Sequence, residues 1–460
     1  MASILRTLTD RSLLRQIGRL AWPTVTEMAL QTLVQYVDTA QVGRIGVAAS
    51  AAVGLTSTTT WLVNAPIGAM AMGVLACISQ ALGARDEEQA RRAADQSMLI
   101  ALVLGLGMTA VTLAAAPFLP GWLGAQPEIR RDAALYFGII CAPMLFRTSS
   151  YMFASVLRAT GNSRTPMQIN LLMNGINVVL NFLLINPSRI WSLGPVSIPM
   201  WGAGWGVAGA AIATAASYLA GGTLMFLAVQ ACPLFAPRGL RPVLHWDTLR
   251  RCLRISLPIA ADRVTVMLGQ VVFTALVAQL GTVAVSAHTI ALTAEQAFYV
   301  PGYGMQAAAA TMAGYAVGGR DEKRLRESSS AIIAIAVVLM GFLSLFLFLF
   351  PDFIMGIFID TPEVIQLGAQ VLRLIALSEP FFAVVIILEG VFDGAGDTKT
   401  PFLISLFCMW GVRVFATWIC VSQLSLGLTA VWLCMIGDNM VRFALVMARY
   451  HSHRWLAAIM

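Results

Sequence analysis

Charge is scarce in this sequence. Asp, Glu, Lys and Arg make up 12% of its 460 residues while 58% are hydrophobic, against roughly 25% and 45–50% in an average soluble domain. Mean hydropathy of +0.77 leaves too little polar surface for a water-soluble enzyme, a nucleic-acid-binding domain or a disordered regulator. Lysine is nearly missing: of 30 basic residues only Lys323 and Lys399 are lysines. Neither stands in a G-x-x-x-x-G-K-[ST] phosphate cradle, so ATP is not an expected partner. The seven cysteines are scattered, odd in number and never spaced C-x-x-C, which excludes a disulfide framework or a zinc ribbon as a sequence reading. No nucleophile–base pair and no cluster of metal ligands stands out, so neither an enzyme nor a cofactor is expected. No cleavable signal peptide is expected either, because apolar sequence simply continues from Ile17.

What remains is apolar sequence in long runs. They cover roughly 15–43, 47–81, 95–120, 133–157, 166–187 and 199–231, then 255–281, 283–317, 328–351, 364–392, 401–423 and 427–448. A membrane-spanning helix needs about 20 apolar residues, and no extended-strand alternation competes with that reading. The expected fold is an all-α polytopic membrane protein of twelve transmembrane helices.

The two sets of six repeat in register. Pro23 and Pro258, Glu27 and Asp262, Gly46 and Gly281, and Pro66 and Pro301 are each 235 residues apart. So are Arg85-Asp86-Glu87 and Arg320-Asp321-Glu322, and Gly161 and Pro166 with Gly396 and Pro401. Residues 1–231 are read as an N-lobe, 232–254 (with Pro237) as an inter-lobe linker, and 255–460 as a C-lobe. Six helices per half make the repeats parallel, a layout common in transporters.

Net charge is +7, and the position of the basic residues explains it. Twenty-two, Arg6 among them, fall in segments on the side of the termini; four (Arg44, Arg130, Arg131, Arg189) fall on the other. By the positive-inside rule both termini are cytoplasmic. His245, His451 and His453 lie on that side, and His288, with no second histidine nearby, reads as structural. The basic excess is a topology signal, and no nucleic acid is expected.

Several strings resemble one family. Val37–Gly46 (VDTAQVGRIG), LRATGNSRTP, GAGDTKTP, LPIAADRV, SAHTIALTAEQ and WGVAGAAIAT are similar to signatures of the multidrug and toxic compound extrusion (MATE) family, nearest its DinF-like bacterial branch. The resemblance runs in family order over residues 20–450. It implies two six-helix bundles that export amphipathic, often cationic compounds by alternating access in exchange for protons, from a prokaryotic inner membrane, as a monomer. Two alternatives stay open: a sodium-coupled antiporter of the same family, and a lipid-precursor flippase of a related two-lobe family.

Carboxyls inside hydrocarbon cost several kcal/mol unless paired, hydrated or used, so Glu27, Asp38, Asp262, Glu295, Glu379 and Asp438 are the informative residues. Asp38 can bind a proton or small cation, or it can be an interfacial acid solvated by headgroups or paired with Arg44. The resemblance favours the first, as part of a coupling site with Asn177, Asn181, Thr214 and Ala210. Asn177 and Asn181 share a helix face by their i,i+4 spacing. Asn181 departs from the family pattern, standing where an acid is usual, and the loss of one carboxylate weakens the case for sodium. Val266 and Phe382 stand where sodium-coupled relatives carry acids. The resemblance makes Asp262 and Glu295, with Glu27, a second candidate site. Pro66 and Pro301, mid-helix in the two halves, are candidate hinges. Asp438 and Arg442 read as a local i,i+4 pair, and Glu389 and Asp393 as residues of the cytoplasmic surface.

Overall fold

A computed structural model of the chain describes residues 10–43, 45–193, 196–235, 238–452 and 454–457. Arg6, Arg44, Pro237 and His453, placed above by sequence, lie outside these residues. The first half consists of α1 (Arg11–Gly43), α2 (Val47–Gly83), α3 (Glu87–Ala115), α4 (Pro127–Cys141), α5 (Met144–Ala159), α6 (Arg164–Ile185) and α7 (Gly206–Gln230). The second consists of α8 (Trp246–Ala278), α9 (Thr282–Gly318), α10 (Glu322–Leu349), α11 (Pro362–Ala376), α12 (Glu379–Ala395), α13 (Lys399–Gln423) and α14 (Leu428–His451).

Eight of these helices are long and apolar enough to cross a membrane. Two more spans are broken: α4 meets α5 at 46° and α11 meets α12 at 58°. With α1 and α9, of 33 and 37 residues, the count reaches the expected twelve. α1 and α8, α2 and α9, and α4 and α11 each start and stop 235 residues apart.

The repeat extends to turn chemistry. Arg85 and Arg320 hold φ of 59° and 52°, the left-handed region that an arginine rarely enters. The aspartate after each starts the next helix: Asp86 Oδ1 accepts from the Gln89 N–H at 2.9 Å, and Asp321 Oδ1 from the Arg324 N–H at 2.8 Å. Asp10 does the same for α1. It accepts from the Ser12 hydroxyl and the Ser12 and Leu13 amides, bonds that hold its exposed carboxyl below the usual carboxylate range.

Several helices begin a few residues before their apolar runs, and two differences from the expectation are larger in kind. Residues 199–203, expected within a helix, belong to a hairpin of β1 (Pro187–Leu193) and β2 (Val196–Ala203), paired antiparallel. Its sequence, PSRIWSL and VSIPMWGA, carries β-branched and aromatic residues together with Pro187 and Pro199. Proline at those places disfavours a helix interior. The second difference is that α8 already begins at Trp246, within the expected linker.

The helices fall into two compact units. One comprises the described residues of Met1–Ala29, Leu75–Ala90 and Arg250–Met460. Its core includes Ile17, Leu20, Met305, Ala309, Ile387 and Phe392. Within it Thr24 Oγ1 donates to the Gly304 carbonyl at 2.7 Å, and Gln80 Nε2 to the Gly394 carbonyl at 2.8 Å. A Cβ on Gly394 would overlap the Ala310 carbonyl oxygen, so glycine lets α12 lie directly on α9. The other unit comprises Leu30–Val74 and Arg91–Leu249, with a core that includes Ile67, Phe137, Ile140, Met144 and Ala211. Here α7 rests on α6 through Gly209, whose added Cβ would stand 2.5 Å from the Leu184 carbonyl oxygen. Gly209→Val therefore lowers stability by about 1–3 kcal/mol through overpacking against backbone, read as a lower melting midpoint in detergent.

Candidate functional site

In the unit that holds α6 and α7, five residues singled out by sequence come together. The i,i+4 spacing puts Asn177 and Asn181 on the buried face of α6, 4% and 1% exposed, and both amides meet Asp38 of α1. Asn181 Nδ2 donates to Asp38 Oδ1 at 2.7 Å. Asn177, assigned with its nitrogen toward the carboxylate, donates to Oδ1 at 2.8 Å and to Oδ2 at 3.1 Å. The opposite assignment would aim its oxygen at two oxygens of like charge. Thr214 Oγ1 lies 3.2 Å from the Asn177 amide oxygen and 3.1 Å from the Ala210 carbonyl, so its single proton serves one acceptor at a time. Asn181 Oδ1 is buried without a hydrogen-bond partner among the described residues. Val42, Ile185, Val207 and Ala210, with Tyr136 against them, form an apolar cluster in the same unit.

Arg147 of α5 is held in the same unit by the aromatic Tyr218. Its guanidinium donates to the Tyr218 hydroxyl and lies 4.4 Å from the centre of that ring. Nothing in the spacing of residues 147 and 218 announces that contact.

The second candidate set separates. Glu27 is buried in α1, 7% exposed. Glu295 of α9 lies next to Glu379, the first residue of α12 at the 58° break. These two acids are 5% and 2% exposed. Neither Glu379 carboxyl oxygen has a hydrogen-bond partner with good geometry. Asp262 of α8 instead lines a small cavity with Arg263, Glu389 and Asp393. Pro66 and Pro301 lie inside α2 and α9, both of which run through them as continuous helices.

Three readings change. Glu389 and Asp393, expected at the surface, face inward: Asp393 is 7% exposed and the side chain of Glu389 23%, because α12 runs on to Ala395 and this end of it lies against α9, with Gly394 on the Ala310 carbonyl. Asp438 does sit one turn from Arg442, but its nearer partner is Arg413 of α13. Arg413 Nη2 is 2.6 Å from Asp438 Oδ2, against 3.6 Å from Arg442 Nη2 to Oδ1. The local pair thus exists, and Arg413, on a different helix in the π-helical stretch Phe407–Val414, adds a partner that spacing along α14 could not reveal. His288 is fully buried, accepts from Trp432 Nε1 at 3.2 Å, and packs edge-on against Phe273 and Trp432. Its Nε2 is buried without a hydrogen-bond partner among the described residues.

The model of the MatE family matches residues 23–183 and again 258–419, two segments that begin 235 residues apart. The chain belongs to the MatE family. Among curated relatives it is 26% identical over 442 residues to "Probable multidrug resistance protein NorM" of Thermotoga maritima, covering 96% of this chain and 93% of that protein. It is 28% identical to the protein of the same name in Pseudomonas putida, covering 91% and 90%. Among solved structures it is similar to a MOP superfamily transporter from Pyrococcus furiosus, with TM-score 0.86, 24% identity and 96% of each chain covered. A structure described as MATE in the bent conformation gives TM-score 0.85 at 23% identity, covering 100% and 98%. As a MatE protein the chain is a multi-pass membrane transporter and not an enzyme. Asp38, Asn177, Asn181, Asp262, Glu295 and Glu379 lie inside the two MatE segments, and Thr214, Asp438 and Arg442 outside them.

Proposed function

We propose that this protein is a secondary antiporter that exports small amphipathic, often cationic compounds in exchange for protons, with Asp38 as the proton carrier. Its two curated relatives above are named as multidrug resistance proteins. The observation that carries the coupling assignment is the single carboxylate of Asp38 held by two amides, Asn177 and Asn181. As a carboxylate, Asp38 takes amide N–H donors from both. Once protonated it becomes a donor itself and needs an acceptor. The Asn181 oxygen, buried and unpartnered, supplies one after rotation of the amide. An ionised aspartate at 181 would only accept and would repel the Asp38 carboxylate, so asparagine suits a site whose one carboxyl alternates between two protonation states. Both states hold α1, which carries Pro23 in its interior, through different bonds, and that difference is what coupling requires.

The site has a second reading. The unpartnered Asn181 oxygen, the Asp38 carboxylate, Thr214 Oγ and the Ala210 carbonyl are all hard oxygen donors, the set that sodium prefers. One carboxylate makes a weak sodium site. Proteoliposomes with pH and sodium gradients imposed separately distinguish the readings: the pH gradient alone drives ethidium efflux if protons couple, and transport that needs the sodium gradient contradicts it. Asn181→Asp, which restores a second carboxylate, is expected to add a sodium-stimulated component to ethidium transport that the native protein lacks. We place the protein in a prokaryotic inner membrane, as a monomer with both termini cytoplasmic.

A further inference from the structure

The unit built on α8, α9 and α12–α14 contains a row of buried charge that antiport at Asp38 leaves unused. Asp438 is fully buried and paired with Arg413. Arg442 lies between Asp438 and Glu389, 3.6 and 3.8 Å away, and donates to Ser405 Oγ at 3.1 Å. Glu389 opens onto a cavity of about 20 Å³ whose polar lining is Asp262, Arg263, Gln306, Glu389, Asp393 and Thr398. That volume takes one water, and the polar lining supplies the partners a water needs.

The cavity is not closed by its own charges. Asp393 is 7% exposed, yet its carboxyl makes no hydrogen bond or ion pair with any described residue. Asp262 Oδ1 is likewise buried without a hydrogen-bond partner. Arg263, on the same wall, makes no ion pair with either among the described residues. A structural salt-bridge cluster gains its energy by direct contact, since buried charges left apart are a net cost. Here an arginine and its acids stand around a gap of one water. The charge count is also uneven. Asp262, Glu389, Asp393 and Asp438 are four carboxyls, and Arg263, Arg413 and Arg442 are three guanidiniums. One positive charge is missing, and no group of carboxylates among the described residues is arranged to hold a metal ion.

We propose that this cavity is a proton-exchange chamber: a water within it passes one proton among Asp262, Glu389 and Asp393, while Arg263 and Arg442 limit the chamber to that single proton. The water gives a proton to one carboxylate, forming an O–H bond there, and takes one from the acid opposite, so it is regenerated and charge is conserved. Tyr303 of α9 interacts electrostatically with Arg263 and Glu389, and Arg413, the partner of Asp438, with Glu295, so these are the charged and titratable groups around the chamber. The proposal rests on the proton reading of Asp38 and adds to it a carrier in the other unit.

The test uses the full-length protein in proteoliposomes, with Asp393→Asn, Asp262→Asn and Asp393→Glu beside the native chain. Two readouts are taken: ethidium flux under a pH gradient, and the protonated-carboxyl band in infrared difference spectra across a pH step. Asp393→Asn is expected to lower pH-driven flux by about 100-fold and to remove a carboxyl band, and Asp393→Glu to restore both. A merely structural Asp393 would not have its band removed and returned in this way. Native flux and an unchanged band in both asparagine variants would overturn the chamber. Were native flux to follow sodium alone, the Asp38 reading would fall, and the infrared arm would still decide this one. A titrating band lost in Asp393→Asn would support it and an unchanged band would overturn it.

Discussion

Asp38→Asn abolishes pH-driven ethidium efflux, bringing it to the level of protein-free vesicles, while the purified variant keeps its melting midpoint. The two outcomes separate because asparagine matches aspartate in size and still offers an oxygen to Asn177 and Asn181, which donate to it at 2.8 and 2.7 Å. What is lost is the exchangeable proton. With Asn181 already an amide, no second carboxyl belongs to this cluster to take over. Flux at native rates in Asp38→Asn would remove the proton carrier from the account. A collapse of flux together with the melting midpoint would make Asp38 a packing residue instead.

Arg413→Ala has the largest expected effect on stability. Asp438 is fully buried and the side chain of Arg413 only 14% exposed, so removing the guanidinium strands a carboxylate whose remaining cation, Arg442, is 3.6 Å away and shared with Glu389. Breaking a buried pair in this way costs about 3–5 kcal/mol, read as a clear fall in the melting midpoint in detergent. The double variant Arg413→Met/Asp438→Leu removes both charges and is expected to recover most of that loss. A midpoint in Arg413→Ala within a degree or two of native would mean that the pair carries no net stability.

The repeat was legible because it fixes residues that backbone geometry needs. Pro23 and Pro258, and the arginines at positive φ with their capping aspartates, sit in matching turns and helices. The Asp38 cluster was legible for a related reason. One regular helix, α6, presents Asn177 and Asn181 on a single face, and the family resemblance then named the helix that supplies the acid. Regular spacing was no guide elsewhere. Asp393 and Glu389 lie at the end of α12, a helix that continues to Ala395, where acids and glycines together read as the start of a surface loop when only composition is read. Arg413 and Asp438 belong to different helices, so their meeting leaves no i,i+4 signature in the sequence. The hairpin over 187–203 was hidden by its own apolar residues, which extend the hydrophobic run of the helix that follows.

Proton release on substrate binding tests the central claim most directly. If substrate and proton compete through Asp38, adding ethidium to the purified protein in weakly buffered detergent solution frees protons from the native chain and none from Asp38→Asn. A release of equal size from both proteins, or none from the native chain, would contradict exchange at this carboxyl.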